Sequence, residues 1–176
     1  TMSWEPISDN GTHLTIRLKM QNGWTADHSA FQNLNSTVYD GLVVPGYIGS
    51  IKDDYIRVFW GDGDNDSVDL KILSRDNTTN DTIAEMGLYA SSSWTSGVTH
   101  TYFMDNVTTE YTVFWGDNDR EDTGLGVQNG LNWRNETKVN IGGPYSGNNS
   151  PVSAVPSVVQ IQDNKTFKYQ IVATDT

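Results

Sequence analysis

Leu14, Ile16, Leu18 and Met20 alternate with Thr15, Arg17, Lys19 and Gln21, the two-residue period of a strand with one buried face. The same alternation runs through 54–60 (DYIRVFW), 67–73 (SVDLKIL), 99–104 (THTYFM), 110–115 (EYTVFW), 157–162 (SVVQIQ) and 167–173 (FKYQIVA). Clusters of Gly, Asn and Asp lie between these runs and suit turns that need positive φ or a side chain bonded to its own backbone. Only 81–90 (DTIAEMGLYA) also fits a short helix. Strands at this spacing with so little helical pattern predict an all-β fold, an antiparallel sandwich or barrel.

The pattern changes at 139–156 (VNIGGPYSGNNSPVSAVP), where Gly, Pro, Ser and Asn dominate and Pro144, Pro151 and Pro156 bar a central strand nearby. The expected organisation is a sandwich over 1–141, a linker over 142–156, and a strand pair over 157–176. Two strands cannot bury a core alone. They complete the first sheet, begin a further domain, or pair with another copy of the chain.

Charge and cysteine content narrow the partners. Eleven Lys plus Arg stand against 22 Asp plus Glu, a formal charge of -11, which argues against nucleic acid and anionic membrane surfaces. No apolar run approaches the roughly eighteen residues of a membrane span. With no cysteine, disulfides, thiol catalysis and zinc-thiolate sites are excluded. The glycosylation triplet Asn-x-Ser/Thr occurs at Asn10, Asn35, Asn65, Asn77, Asn80, Asn106, Asn135, Asn148 and Asn164. Chance would supply about three from this composition, so the excess points to an extracellular or cell-surface glycoprotein with N-glycans on exposed turns.

The segments VFWGDGDNDS (58–67) and VFWGDNDRED (113–122) share an aromatic pair followed by an acidic glycine turn. Asp62, Asp64 and Asp66 stand at alternate positions, as oxygen ligands of a calcium loop do. The likeness to an EF-hand is partial, since Ile72 and Leu73 stand near the position of its closing Glu. A bend built from turn-forming residues explains the same letters. Asp117, Asp119 and Asp122 form a weaker copy. In Phe59-Trp60 and Phe114-Trp115 one ring of each pair enters the core while the other faces out, where it packs on a neighbour or stacks on a sugar. His13, His28 and His100 are the only histidines. None lies in a pattern that carries catalysis, His100 reads as structural, and no enzyme activity is expected.

The order VFWGDGDND, THTYFMDN, EYTVFW resembles a PKD-type (polycystic-kidney-disease-like) repeat over roughly 53–115, and 149–175 resembles the opening of a cadherin-like repeat. The insert from Asn77 to Ser96 and the strands before Lys52 are extra to that pattern. The resemblance implies an Ig-like, PKD-like antiparallel β-sandwich with a C-terminal two-strand extension, used for spacing, adhesion or assembly, without a cofactor. The expected function is a structural or adhesive module whose partners are copies of itself or neighbouring repeats. It would join them head to tail by β-strand addition into a filament or array. Val158, Val159, Ile161, Phe167, Tyr169, Ile171 and Val172 would supply the apolar contacts. The alternative is a carbohydrate-binding module with Trp60, Trp94, Trp115 or Trp133 on an exposed platform and calcium in the acidic loop.

Overall fold

The computed structural model describes residues 1–25, 43–44, 57–76, 78–79, 81–105, 107–117, 133–142, 150–153 and 173–174. Among these there is no helix. The strands are β1 (Met2–Asp9), β2 (His13–Thr25), β3 (Val43–Val44), β4 (Arg57–Phe59), β5 (Asn65–Ser67), β6 (Asp69–Asp76), β7 (Asp81–Ala90), β8 (Ser93–Ser96), β9 (Val98–Phe103), β10 (Glu110–Asp117), β11 (Trp133–Asn140), β12 (Val152–Ser153) and β13 (Ala173–Thr174). The expected all-β class holds, and every pairing among the described residues is antiparallel.

One sheet has the order β1-β2-β7-β6-β3, with β8 on β7 and β9 on β2, and the other has the order β11-β10-β4-β5. The 13-residue β2 organises the first. β1 follows it from Met20 back to Leu14, while β9 pairs with residues 13–18 and β7 with residues 21–25. β7 and β9 thus share the remaining edge of β2 in succession. Between them the chain leaves that edge as the β7-β8 hairpin, paired from Gly87↔Ser96 to Ala90↔Ser93.

The sheets face each other because their strands alternate. Leu14, Ile16, Leu18, Met20, Leu70, Ile72, Ala84, Met86, Val98 and Tyr102 from the larger sheet are buried, as are Val58, Trp60, Val113, Trp115 and Val139 around the smaller one. Removing this apolar surface from water is the principal force holding the layers together. Polar tethers then set how the layers align. The Trp4 indole N–H of β1 donates to the Lys138 carbonyl of β11 at 2.8 Å, and the Trp24 and Trp115 rings meet at 5.6 Å.

Residues 81–90 form a strand and not a helix, which corrects the alternative that their spacing allowed. Thr82, Ala84 and Met86 point inward at every second position, and β7 is hydrogen-bonded to β2 on one side and β6 on the other. Two flanking strands outweigh a local helical preference. Among the strands of four or more residues, three carry no clear alternation in the sequence. β1 contains Pro6, tolerated where the register slips between Pro6 and Ser8 on this edge strand. β8 is a four-residue hairpin arm. β11 buries Val139, but polar Asn135 and Thr137 share its face while Arg134, Glu136 and Lys138 take the other.

The C-terminal region meets the sandwich at β1. Ser150 donates its main-chain N–H to the Trp4 carbonyl at 3.1 Å, and the Trp4 N–H donates to the Ser150 hydroxyl oxygen at 2.7 Å. Both residues are buried. Shortly beyond, β12 pairs with β13 through Val152↔Thr174 and Ser153↔Ala173. The expected assembly residues Val158, Val159, Ile161, Phe167, Tyr169, Ile171 and Val172 lie outside the described residues.

Candidate functional site: the acidic glycine turn

The Gly61–Asp64 turn joins β4 to β5, and its two glycines have φ of 87° and 106°. These left-handed values favour a residue without Cβ. The Trp60 N–H closes the turn on the Asp64 carbonyl at 3.0 Å. The Asp64 N–H donates to Asp62 Oδ1 at 3.0 Å, the self-bonding for which Asp is favoured in turns.

Across the core, β9 brings His100 to this turn. Its Nε2 lies 2.7 Å from Asp62 Oδ2. The imidazole is stacked on Trp60 at 4.5 Å and 8°, and it meets the edge of Tyr102 at 4.6 Å and 77°. Tyr102 donates its buried hydroxyl to the Trp60 carbonyl at 3.0 Å and stacks on Tyr111 at 4.9 Å. Indole, imidazole and phenol therefore form one block clamping the turn of one sheet to β9 of the other. Burial pushes the Asp62 carboxyl up, but the hydrogen bond from His100 and the main-chain N–H of Asp64 outweigh it and hold the group below its ordinary value. Burial, followed by the Asp62 charge, pushes the Tyr102 phenol up, so it stays a neutral donor.

The three acids that the calcium alternative would use, Asp62, Asp64 and Asp66, do not share one focus. Asp62 and Asp64 converge with His100, their ligand atoms all within 4.8 Å of one another. Asp66 instead accepts the Trp60 indole N–H at 2.7 Å. Its position directly across from Val58 turns it toward the face that carries Trp60. Among the described residues the ionisable side chains that converge are two carboxylates and an imidazole, whereas calcium takes six to eight oxygens. One of those carboxylates is already bonded to the imidazole. Nothing in the spacing of 62, 64 and 66 could reveal His100 as the third member, because its approach is made between sheets. The one available signal was its in-facing place two residues before Tyr102. In the weaker copy, only the backbone of Asp117, at the end of β10, is described, and Asp119 and Asp122 lie outside the described residues.

The aromatic pairs divide as their alternation requires. Trp60 and Trp115 are 0% and 1% exposed, which corrects the expectation that either could serve as a surface platform. Phe59 and Phe114 face outward from the smaller sheet, half-buried, and stack on each other at 4.9 Å and 12°. The Arg134 guanidinium lies 3.7 Å over the Phe114 ring. Trp94 is held on the outer face of the larger sheet, donating to Glu85 Oε1 at 2.8 Å. The Trp133 side chain is not described.

No family model matches the chain, and no curated protein or solved structure matches it either.

Of the glycosylation triplets, Asn10 and Asn65 are exposed. Asn10 stands at the β1-β2 turn, where its Oδ1 accepts the N–H groups of Thr12 at 3.0 Å and His13 at 2.8 Å. Asn135 is half-buried and directs its amide at the buried Asn22, donating to its Oδ1 at 3.3 Å. Asn35, Asn77, Asn80, Asn106, Asn148 and Asn164 lie outside the described residues.

Proposed function

We propose that this chain is a structural, adhesive β-sandwich module of an extracellular glycoprotein, similar to a PKD-type repeat leading into a cadherin-like one, which joins copies of itself head to tail by β-strand addition. The observation that carries this reading is the pair of bonds between Ser150 and Trp4. β1 is an edge strand, and such an edge offers unpaired N–H and C=O groups to any extended segment. The segment after β11 meets that edge at Ser150, which bonds Trp4 once through its main-chain N–H and once through its hydroxyl. Strand addition would extend this single main-chain contact along the edge: backbone bonds supply affinity, and alternate side chains set register. The same bonds can form within one chain or between neighbours, and exchange between neighbours that does not close on itself builds a filament.

The sequon excess supports the extracellular location, and exposed Asn10 and Asn65 supply acceptors that need no unfolding. The clamped turn supports a structural role, since its polar groups bond one another across the two sheets.

Deleting residues 157–176, which leaves Ser150 on Trp4 but removes β13 and the expected assembly residues, is the direct test. The truncated chain should remain a folded monomer by light scattering while the full chain forms multimers visible by electron microscopy. Multimers of the truncated chain would refute the C-terminal segment as connector. Intact mass before and after glycosidase treatment, on protein from a glycosylating host, tests the glycoprotein part separately.

A further inference from the structure

We infer that the outer face of the four-stranded sheet is the seat of a glycan carried by Asn65, its first N-acetylglucosamine ring lying on Phe59. This rests on the glycoprotein reading above. The register sets Asn65 of β5 opposite Phe59 of β4, Phe59 opposite Phe114 of β10, and Phe114 opposite Glu136 of β11. Four strands thus contribute one row to one face. Their chain neighbours Val58, Val113 and Trp115 are buried on the other face, so the row points outward.

Arg134 closes one end of this row. Its guanidinium covers Phe114 at 3.7 Å, and its Nε lies 2.9 Å from Glu136 Oε2. Among the described residues no comparable cation stands over Phe59, which is half-buried beside exposed Asn65. Directly opposed positions on adjacent antiparallel strands bring their Cβ atoms within about 4.5–5.5 Å. A sugar on the Asn65 amide therefore starts beside the Phe59 ring. The sugar's C–H face carries slight positive charge and the aromatic face is negative, so the two surfaces are complementary. A covalently attached ring also avoids most of the association cost a free sugar must overcome.

The test uses full-length protein from a glycosylating host, with each glycan trimmed by endoglycosidase to a single N-acetylglucosamine. Ser67→Ala removes the Asn65 sequon while leaving Asn65 and the other sequons in place. The trimmed wild type should melt about 2–4 °C above Ser67→Ala, and this gain should vanish in a Phe59→Leu background. By NMR, the Asn65-linked sugar protons should be shifted upfield by the Phe59 ring current. That shift is measured in wild type, so it decides the matter even if Phe59→Leu fails to fold. A glycosylated Asn65 without the upfield shift, or a gain that survives Phe59→Leu, overturns the inference. An unmodified Asn65 beside a glycosylated Asn10 overturns this inference alone. No glycan at any sequon overturns the glycoprotein reading as well.

Discussion

Replacing Gly61 by alanine separates conformational strain from steric conflict, because Gly63 in the same turn provides an internal control. Both glycines have positive φ, 87° and 106°, where an L side chain costs about 1–2 kcal/mol. Both also gain about 0.4–1 kcal/mol when alanine restricts the unfolded chain. Their surroundings differ. A Cβ at Gly61 would stand 2.6 Å from the Thr112 carbonyl oxygen, whereas a Cβ at Gly63 meets nothing within 4 Å. The Thr112 oxygen belongs to the main chain of β10 and cannot rotate away, so β4 and β10 must separate, an overpacking cost of about 1–3 kcal/mol. Gly61→Ala should then destabilise by about 2–4 kcal/mol and Gly63→Ala by about 1 kcal/mol. For a chain of this length those figures correspond to Tm losses of roughly 5–15 °C and a few degrees. Urea melts followed by tryptophan fluorescence report this directly, since Trp60 and Trp115 are buried beside the affected strands. Equal midpoint shifts for the two variants would mean that the Thr112 oxygen poses no steric conflict at Gly61.

Three further outcomes follow from the clamp and the core. The Asp62 carboxyl is held below its ordinary value of 3.8, so its contribution to stability is fully present above that value and is lost as pH falls through the lower folded value. Carbon-detected NMR titration should show a midpoint below 3.8 that rises in His100→Gln, and an unchanged midpoint would remove His100 as a cause. Thr82 is fully buried and its hydroxyl has no hydrogen-bond partner among the described residues. Thr82→Val should therefore raise stability by about 1 kcal/mol in urea melts, and a loss of similar size would mean the hydroxyl is satisfied in solution. Millimolar calcium should leave Tm unchanged, because Asp66 is bonded to Trp60 and Asp62 to His100. A calcium-dependent rise that disappears in Asp64→Asn would restore the metal reading of the loop.

Much of the architecture was legible along the chain because burial on one face of a strand leaves a period of two. Leu14 to Met20 carry it plainly, and they became the buried face of β2. Phe59-Trp60 and Phe114-Trp115 carry it too, each divided between surface and core. β1 and β11 were not legible in this way. Pro6 and the register slip interrupt the period in β1, and charged residues dominate the outer face of β11. Residues 81–90 satisfied two periods at once, and only flanking strands on both sides selected the extended one. The aromatic row from Asn65 to Phe114 could not be read either, since its members come from three strands whose register is not written locally.

Residue pattern alone dictates the class of fold and the chemistry of the turn beginning at Gly61. Alternation demands sheets, and the Gly-Asp-Gly composition suits a bend with positive φ. Whether that turn was a calcium loop or a clamped bend lay beyond it, because the same carboxylates serve either use. The tertiary structure separated the three acids by partner: Asp62 to His100 from the opposite sheet, Asp64 to the turn itself through its main chain, and Asp66 to the Trp60 indole. Two of those partners are buried or half-buried aromatic groups, whose positions depend on how the two sheets pack. Strand propensity is local, whereas packing joins residues 38 positions apart, as in the Asp62–His100 pair.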